Sequence, residues 1–112
     1  MIQILITFDL RPEAEKEYTE FVVQTGVPFW WSQPGILSVK GFRNVLGASP
    51  RIVSEVECES LEAAMRVLGS PEYEAIVDQQ ARFVTNRAVL LLTPTGRTPE
   101  DADRGRPAEA RR

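Results

Sequence analysis

Val84–Thr93, VTNRAVLLLT, is apolar on both faces from Ala88 to Leu92. Successive side chains of a strand point to opposite sides, so a strand of this composition needs cover on both. The chain's own helices supply one cover. The other side calls for a second copy of the same chain.

Working back from this strand, Ser70 is a helix cap, Pro71 fits the first helical position and Glu72 follows it. Tyr73, Ile76, Val77 and Gln80 form the inner stripe of that helix. Ser60 caps an earlier helix, with Leu61, Ala64, Met65 and Leu68 on one face and Gly69 at its end. Ile36–Leu46 and Arg51–Cys58 read as two strands joined in a hairpin by the turn Gly47–Pro50, with Gly41 marking a bulge or a bend. At the front, Ile2, Ile4, Ile6 and Phe8 alternate with Gln3, Leu5 and Thr7 as a strand, and Asp9–Arg11 reads as a turn. Ala14, Tyr18, Phe21, Val22 and Thr25 then recur at helical spacing. They predict a helix from Pro12 to Gly26, ended or kinked by Gly26 and Pro28.

The order is β-α-β-β-α-β. It predicts a ferredoxin-like α+β domain over residues 1–93, with both helices on one face of a four-stranded antiparallel sheet. The second face of such a sheet normally meets water. Here Met1 and Leu5 oppose the isoleucine face, and Val89 with Leu91 oppose Leu90 with Leu92. An apolar second face on the order of several hundred Å² is large for a monomer, so a homodimer through sheet faces is expected. Residues 94–112 hold no large apolar side chain and many Pro, Gly and charges, the composition of a disordered tail.

Composition narrows the partners. The 112 residues are 43% hydrophobic and 26% charged, with a net charge of −3. No basic patch is interleaved with aromatics, which argues against nucleic acid. No apolar run is long enough to span a membrane, and residues 1–8 lack the features of a signal peptide. One cysteine, Cys58, rules out an internal disulfide and fits the cytoplasm. The chain has no histidine, so imidazole triads and His-ligated zinc or haem are excluded, and no metal is expected.

Strand three followed by SerLeuGluAlaAla (60–64), SerProGluTyr (70–73) and PheValThr (83–85) leading into a Leu/Val strand resembles the dimeric α/β-barrel superfamily. The branch it is most similar to is the antibiotic-biosynthesis-monooxygenase-like proteins. That resemblance covers residues 1–93. It implies a dimer, a ligand held between helices and sheet, and chemistry without a cofactor. Other members bind or degrade haem through a histidine, which this chain lacks. Many carry a Trp near the end of strand three, where this chain has Val56-Glu57-Cys58.

Seven residues stand out as a lining for a small aromatic ligand: Phe8, Phe21, Trp30, Trp31, Phe42, Asn44 and Tyr73. Trp30 and Trp31 are adjacent, so both cannot face one core. One is expected at a pocket mouth, in an interface or exposed. The resemblance gives Asn44 a substrate carbonyl or oxygen to hold; by itself, Asn44 equally prepares the turn at Gly47. Glu55 and Glu57 share a face of strand three, roughly 7 Å apart by strand rise. A buried carboxylate there is a candidate base, and pairing with Lys40, Arg43 or Arg87 is the plainer reading. Arg87 interrupts the most apolar strand, either to bind an anionic ligand group or to cap a barrel end beside Glu55. Three functions are consistent with these residues. The first is a cofactor-independent, monooxygenase-like enzyme acting on a small aromatic or polyketide-like compound. The second is a non-catalytic small-molecule binder, and the third a structural dimer.

Overall fold

Alternation along the first strand carries through to the structure. The computed structural model describes residues 1–95. Strand β1, Ile2–Leu10, buries Ile2, Ile4, Ile6 and Phe8 and leaves Gln3, Leu5 and Thr7 half-exposed on its other side. Strand β1 runs through Asp9 and Leu10, where a turn is predicted, because these residues pair with Thr85 and Val84. Strands β2 (Ile36–Arg43), β3 (Ile52–Cys58) and β4 (Val84–Leu92) complete an antiparallel sheet in the order β2-β3-β1-β4. The α+β, ferredoxin-like expectation holds. From residue 96 onward, the tail expected to be disordered lies outside the described residues.

The first helical segment differs from its prediction at both ends. It starts at Glu15, because Glu13 adopts a left-handed backbone (φ 65°) and holds Pro12 outside the helix. It then runs past Gly26 as α1 (Glu15–Phe21), a π-helical turn (Val22–Gly26) and α2 (Val27–Ser32). Pro28 has no N–H to give the carbonyl four residues back. The Val27 N–H reaches five residues back to the Val22 oxygen, and the wider turn absorbs the proline without ending the helix.

Helices α3 (Leu61–Leu68) and α4 (Pro71–Gln80) begin as predicted. Ser60 Oγ accepts from the Ala63 N–H and Ser70 Oγ from the Tyr73 N–H, both at 3.1 Å. The buried side of α3 is Ala63, Ala64 and Val67, whereas Leu61 and Met65 of the predicted stripe face outward. Small side chains let α3 pack close to the loop at Gly35. All helices pack on the face that carries Ile4, Ile6, Phe8 and Val56. Among the described residues no helix is long and apolar enough to cross a membrane.

Strand β4 contains an irregularity that sets its faces. Thr7 pairs with Ala88 but Asp9 with Thr85, so Asn86 and Arg87 together oppose Phe8. This is a β-bulge, and Asn86 takes the left-handed conformation it requires (φ 53°). Beyond the bulge Val89 and Leu91 pair with Ile6 and Ile4 and share the helix side. Leu90 and Leu92 pair with Leu5 and Gln3 and lie on the outer face. The Gly41 position shows no bulge; the irregularity in β2 lies between Ile36 and Ser38.

Asp9 holds the bulge in place. Its carboxylate accepts from Ser49 Oγ (2.6 Å), Asn86 Nδ2 (2.9 Å) and the Arg51 N–H (2.8 Å). The Ser49 hydroxyl and the Asn86 amide, with the Arg51 N–H, hold its carboxyl below the ordinary value of 3.8 against the opposing effect of burial. A folded-state pKa below the unfolded one means that the unfolded chain binds the proton first. The stability from this group is therefore complete above about pH 4 and is lost as pH falls through the folded-state value. Replacement D9N is expected to lower the urea midpoint at pH 7 and to flatten the decline of wild-type stability below about pH 4. Urea melts over a pH series measure both, and an unchanged acid decline would assign it to other carboxylates.

Candidate functional site

Helix α1 and the π turn bury no residue completely. Tyr18, Phe21 and Val22 are half-buried because the sheet beneath them is low. Gly41 of β2 pairs with Ser54 of β3, which pairs in turn with Ile6 of β1. Two small residues thus lie side by side on the helix face of the sheet. A Cβ built on Gly41 meets no atom within 4 Å. The space above forms a cavity of about 130 Å³. An apolar cavity of about 150 Å³ holds a benzene ring, so this one has the size of a single ring.

The cavity's roof is Tyr18, Phe21, Val22 and Val27, and Trp30 and Ile76 close its sides. Trp30 is held in place by Phe29 and Tyr73, with ring centroids at 5.2 and 5.9 Å. Phe8 lies under Tyr18 in an edge contact at 5.4 Å. Burial raises the Tyr18 phenol above its ordinary value of 10.0, against the Ser54 hydroxyl and the Arg43 charge, so it stays protonated at neutral pH.

One charged group from the β4 bulge reaches this apolar space. Arg87 is half-buried and donates from Nη2 to the Tyr73 hydroxyl (2.7 Å) and from Nε to Gln80 Oε1 (2.9 Å). Among the described residues no carboxylate lies within ion-pair distance of it. Tyr73 and Gln80 are seven residues apart on α4 and project to the same side, which is why both reach Arg87.

The structure gathers Phe21, Trp30, Tyr73 and Arg87 of the predicted residues around one cavity and places the others elsewhere. Phe8 is fully buried beneath it as core. Trp31 follows Trp30 by about 100° of helix rotation and is 54% exposed. Phe42 lies on the outer face opposite Val53. Asn44 is spent on the β2–β3 turn: its Nδ2 donates to the Ala48 and Pro50 carbonyls and its Oδ1 accepts from the Leu46 N–H. Glu55 is on the outer face opposite Lys40 and accepts from Gln3 Nε2 at 3.0 Å. It therefore does not pair with Arg87, which projects from the other side of the sheet. Tyr18, Gly41, Ser54 and Gln80 were missing from the predicted site. A glycine inside a strand was the signal available for Gly41. Burial, then the Glu57 charge, raises the Cys58 thiol, which keeps it protonated and inert. Among the described residues no three His, Cys, Asp or Glu side chains converge as a metal site.

No family model matches the sequence, and no curated protein is significantly similar to it. Solved structures do match. SnoaB, a cofactor-independent oxygenase from Streptomyces nogalater, is 18% identical and superposes with a TM-score of 0.70 over 88% of this chain and 96% of that one. At3g17210 from Arabidopsis thaliana is 13% identical, with a TM-score of 0.74 over 88% of this chain and 99% of that one. Rv0793 from Mycobacterium tuberculosis is 22% identical, with a TM-score of 0.68 over 86% and 96%. At such identities the likeness is one of fold, and fold alone does not specify chemistry. The chain shares its ferredoxin-like fold with these solved structures.

Proposed function

We propose that this protein binds a single-ring aromatic compound beneath its helices and oxidises it with molecular oxygen, as a cofactor-independent, monooxygenase-like enzyme. The observation that carries the reading is the ring-sized apolar cavity with one half-buried guanidinium on its wall. A phenol or quinol fits, with its ring between Phe21 and Trp30 and its oxygen near Arg87. A nearby guanidinium lowers the pKa of a phenol, and the resulting oxyanion is rich enough in electrons to reduce oxygen. Overall, a ring CH₂ of the keto tautomer becomes C=O. One atom of O₂ enters the product and the other leaves as water. The protein supplies orientation, the positive charge and exclusion of bulk water.

A second reading, a non-catalytic binder, is favoured by one feature of the same cavity. None of its lining residues is a carboxylate or a histidine, so no side chain there is a ready general base. Tryptophan fluorescence against phenols, hydroquinones and naphthoquinols, with oxygen uptake recorded alongside, separates the two. Saturable quenching with uptake is expected; quenching without uptake assigns the protein to binding alone. Replacement G41L grows a side chain into the cavity and is expected to abolish quenching while leaving the melting temperature within a few degrees of wild type. Unchanged quenching in G41L would place the ligand elsewhere.

The dimer belongs to the same proposal. Leu5, Leu90 and Leu92 form an outward apolar corner of the sheet, and Val45 and Leu46 at the β2–β3 turn are 93% and 87% exposed. A second copy laid against this face covers the corner, with Gln3, Glu55 and Lys40 meeting polar groups beside it. Wild-type protein is expected to sediment with twice the chain mass of 12.6 kDa at micromolar concentration, and L90K with that mass itself. A wild-type mass of one chain would overturn the dimer.

A further inference from the structure

We propose that the ring compound carries a carboxylate, and that Arg87 is the residue that selects it. The inference rests on the ring-binding reading above and adds the ligand's charge. A guanidinium has five N–H donors; Gln80 takes the one on Nε and Tyr73 takes one on Nη2, which leaves three without a protein partner among the described residues. The pattern of use matters as much as the number. Nε and Nη2 form the side edge of the guanidinium. Each Nη keeps at least one free donor, and with Tyr73 on the Nη2 hydrogen beside Nε, one donor from each Nη points from the end of the group. Two parallel donors match the two oxygens of a carboxylate, whereas a phenol oxygen occupies only one of them.

The surroundings also point to an aryl acid over a free inorganic anion. A half-buried guanidinium without a carboxylate partner has shed part of its hydration without a counter-charge. Phosphate or sulfate would satisfy the charge but gain nothing from Phe21, Trp30, Val27 and Ile76. An aryl carboxylate uses both halves of the site. Arg87 and Tyr73 also border a wider groove of about 480 Å³, lined by Leu68, Val77 and Val89 between α4 and β4. The guanidinium thus borders both spaces, and the ring cavity is not the only room for the charged end. Glu74 borders the groove and makes no ion pair with Arg87.

The test compares 2-hydroxybenzoate, whose carboxylate and phenol oxygen stand side by side and so both reach Arg87, with 2-hydroxybenzamide, which has the same shape and is largely uncharged at pH 7. Binding is read from Trp30 fluorescence in a W31F background, since Trp31 is outside the cavity. The acid is expected to bind at least about tenfold more tightly than the amide, the scale of a charge-assisted bidentate pair. R87Q is expected to remove this preference, and R87K, which keeps the charge but not the fork, to retain only part of it. Equal affinities in the wild type, or a preference that survives in R87Q, overturn the inference. The wild-type comparison stands even where a variant does not fold. Binding of the amide and of simple phenols without the acid overturns the charge assignment and leaves ring binding intact. Binding of no aromatic compound overturns both.

Discussion

Three hydrogen bonds to one carboxylate organise this fold. Asp9 lies one residue before the end of β1, and its oxygens tie the turn before β3 through Ser49 and Arg51 and the bulge of β4 through Asn86. The bulge adds one residue to β4, and the side-chain period of a strand is two. Its effect is therefore to exchange the faces of everything beyond it. Were the pairing at Asp9 and Thr85 continued without the bulge, Arg87, Val89 and Leu91 would point away from the helices. With it, Arg87 meets Tyr73 and Gln80, and Leu90 and Leu92 take the outer face. The candidate site and the proposed interface thus depend on the same inserted residue.

The cavity has a similarly local origin. Gly41 and Ser54 lower the floor, and Pro28 forces the widened helical turn above it. A cavity of about 130 Å³ forgoes the packing contacts that a filled floor would make with the helices. One substitution at Gly41 would remove much of the void without strain, because nothing lies within 4 Å of the Cβ position. A space that is costly to keep and easy to fill is what a ligand site requires.

The structural likeness to SnoaB and its fellows reaches the backbone and stops there. Glu55 and Asn44, the residues given the plainest chemical roles from sequence, are engaged with Gln3 and with a turn. Arg87 does reach the apolar space, with Tyr73 and Gln80 around it. The chemistry proposed here accordingly rests on the cavity and the guanidinium.

Much of the architecture was legible in the residues. The alternation of Ile2–Phe8, the serine caps at Ser60 and Ser70 and the two-sided apolar run at Ala88–Leu92 were enough for the β-α-β-β-α-β order, because each is a local pattern with a local cause. Trp30 and Trp31 had to part company for the same kind of reason. Other features depended on contacts far apart in the chain. Asp9 looked like a turn former until its partners 40 and 77 residues away were present. The faces of β4 were unreadable because apolar residues stand on both, so nothing in 88–92 distinguishes one register from the next. The cavity was unreadable too, since it comes from a glycine and a serine on neighbouring strands lying under a helix widened by a proline. Composition and periodicity determine which elements form; only packing determines which side of each one meets the others, because register and empty space are properties of pairs of segments.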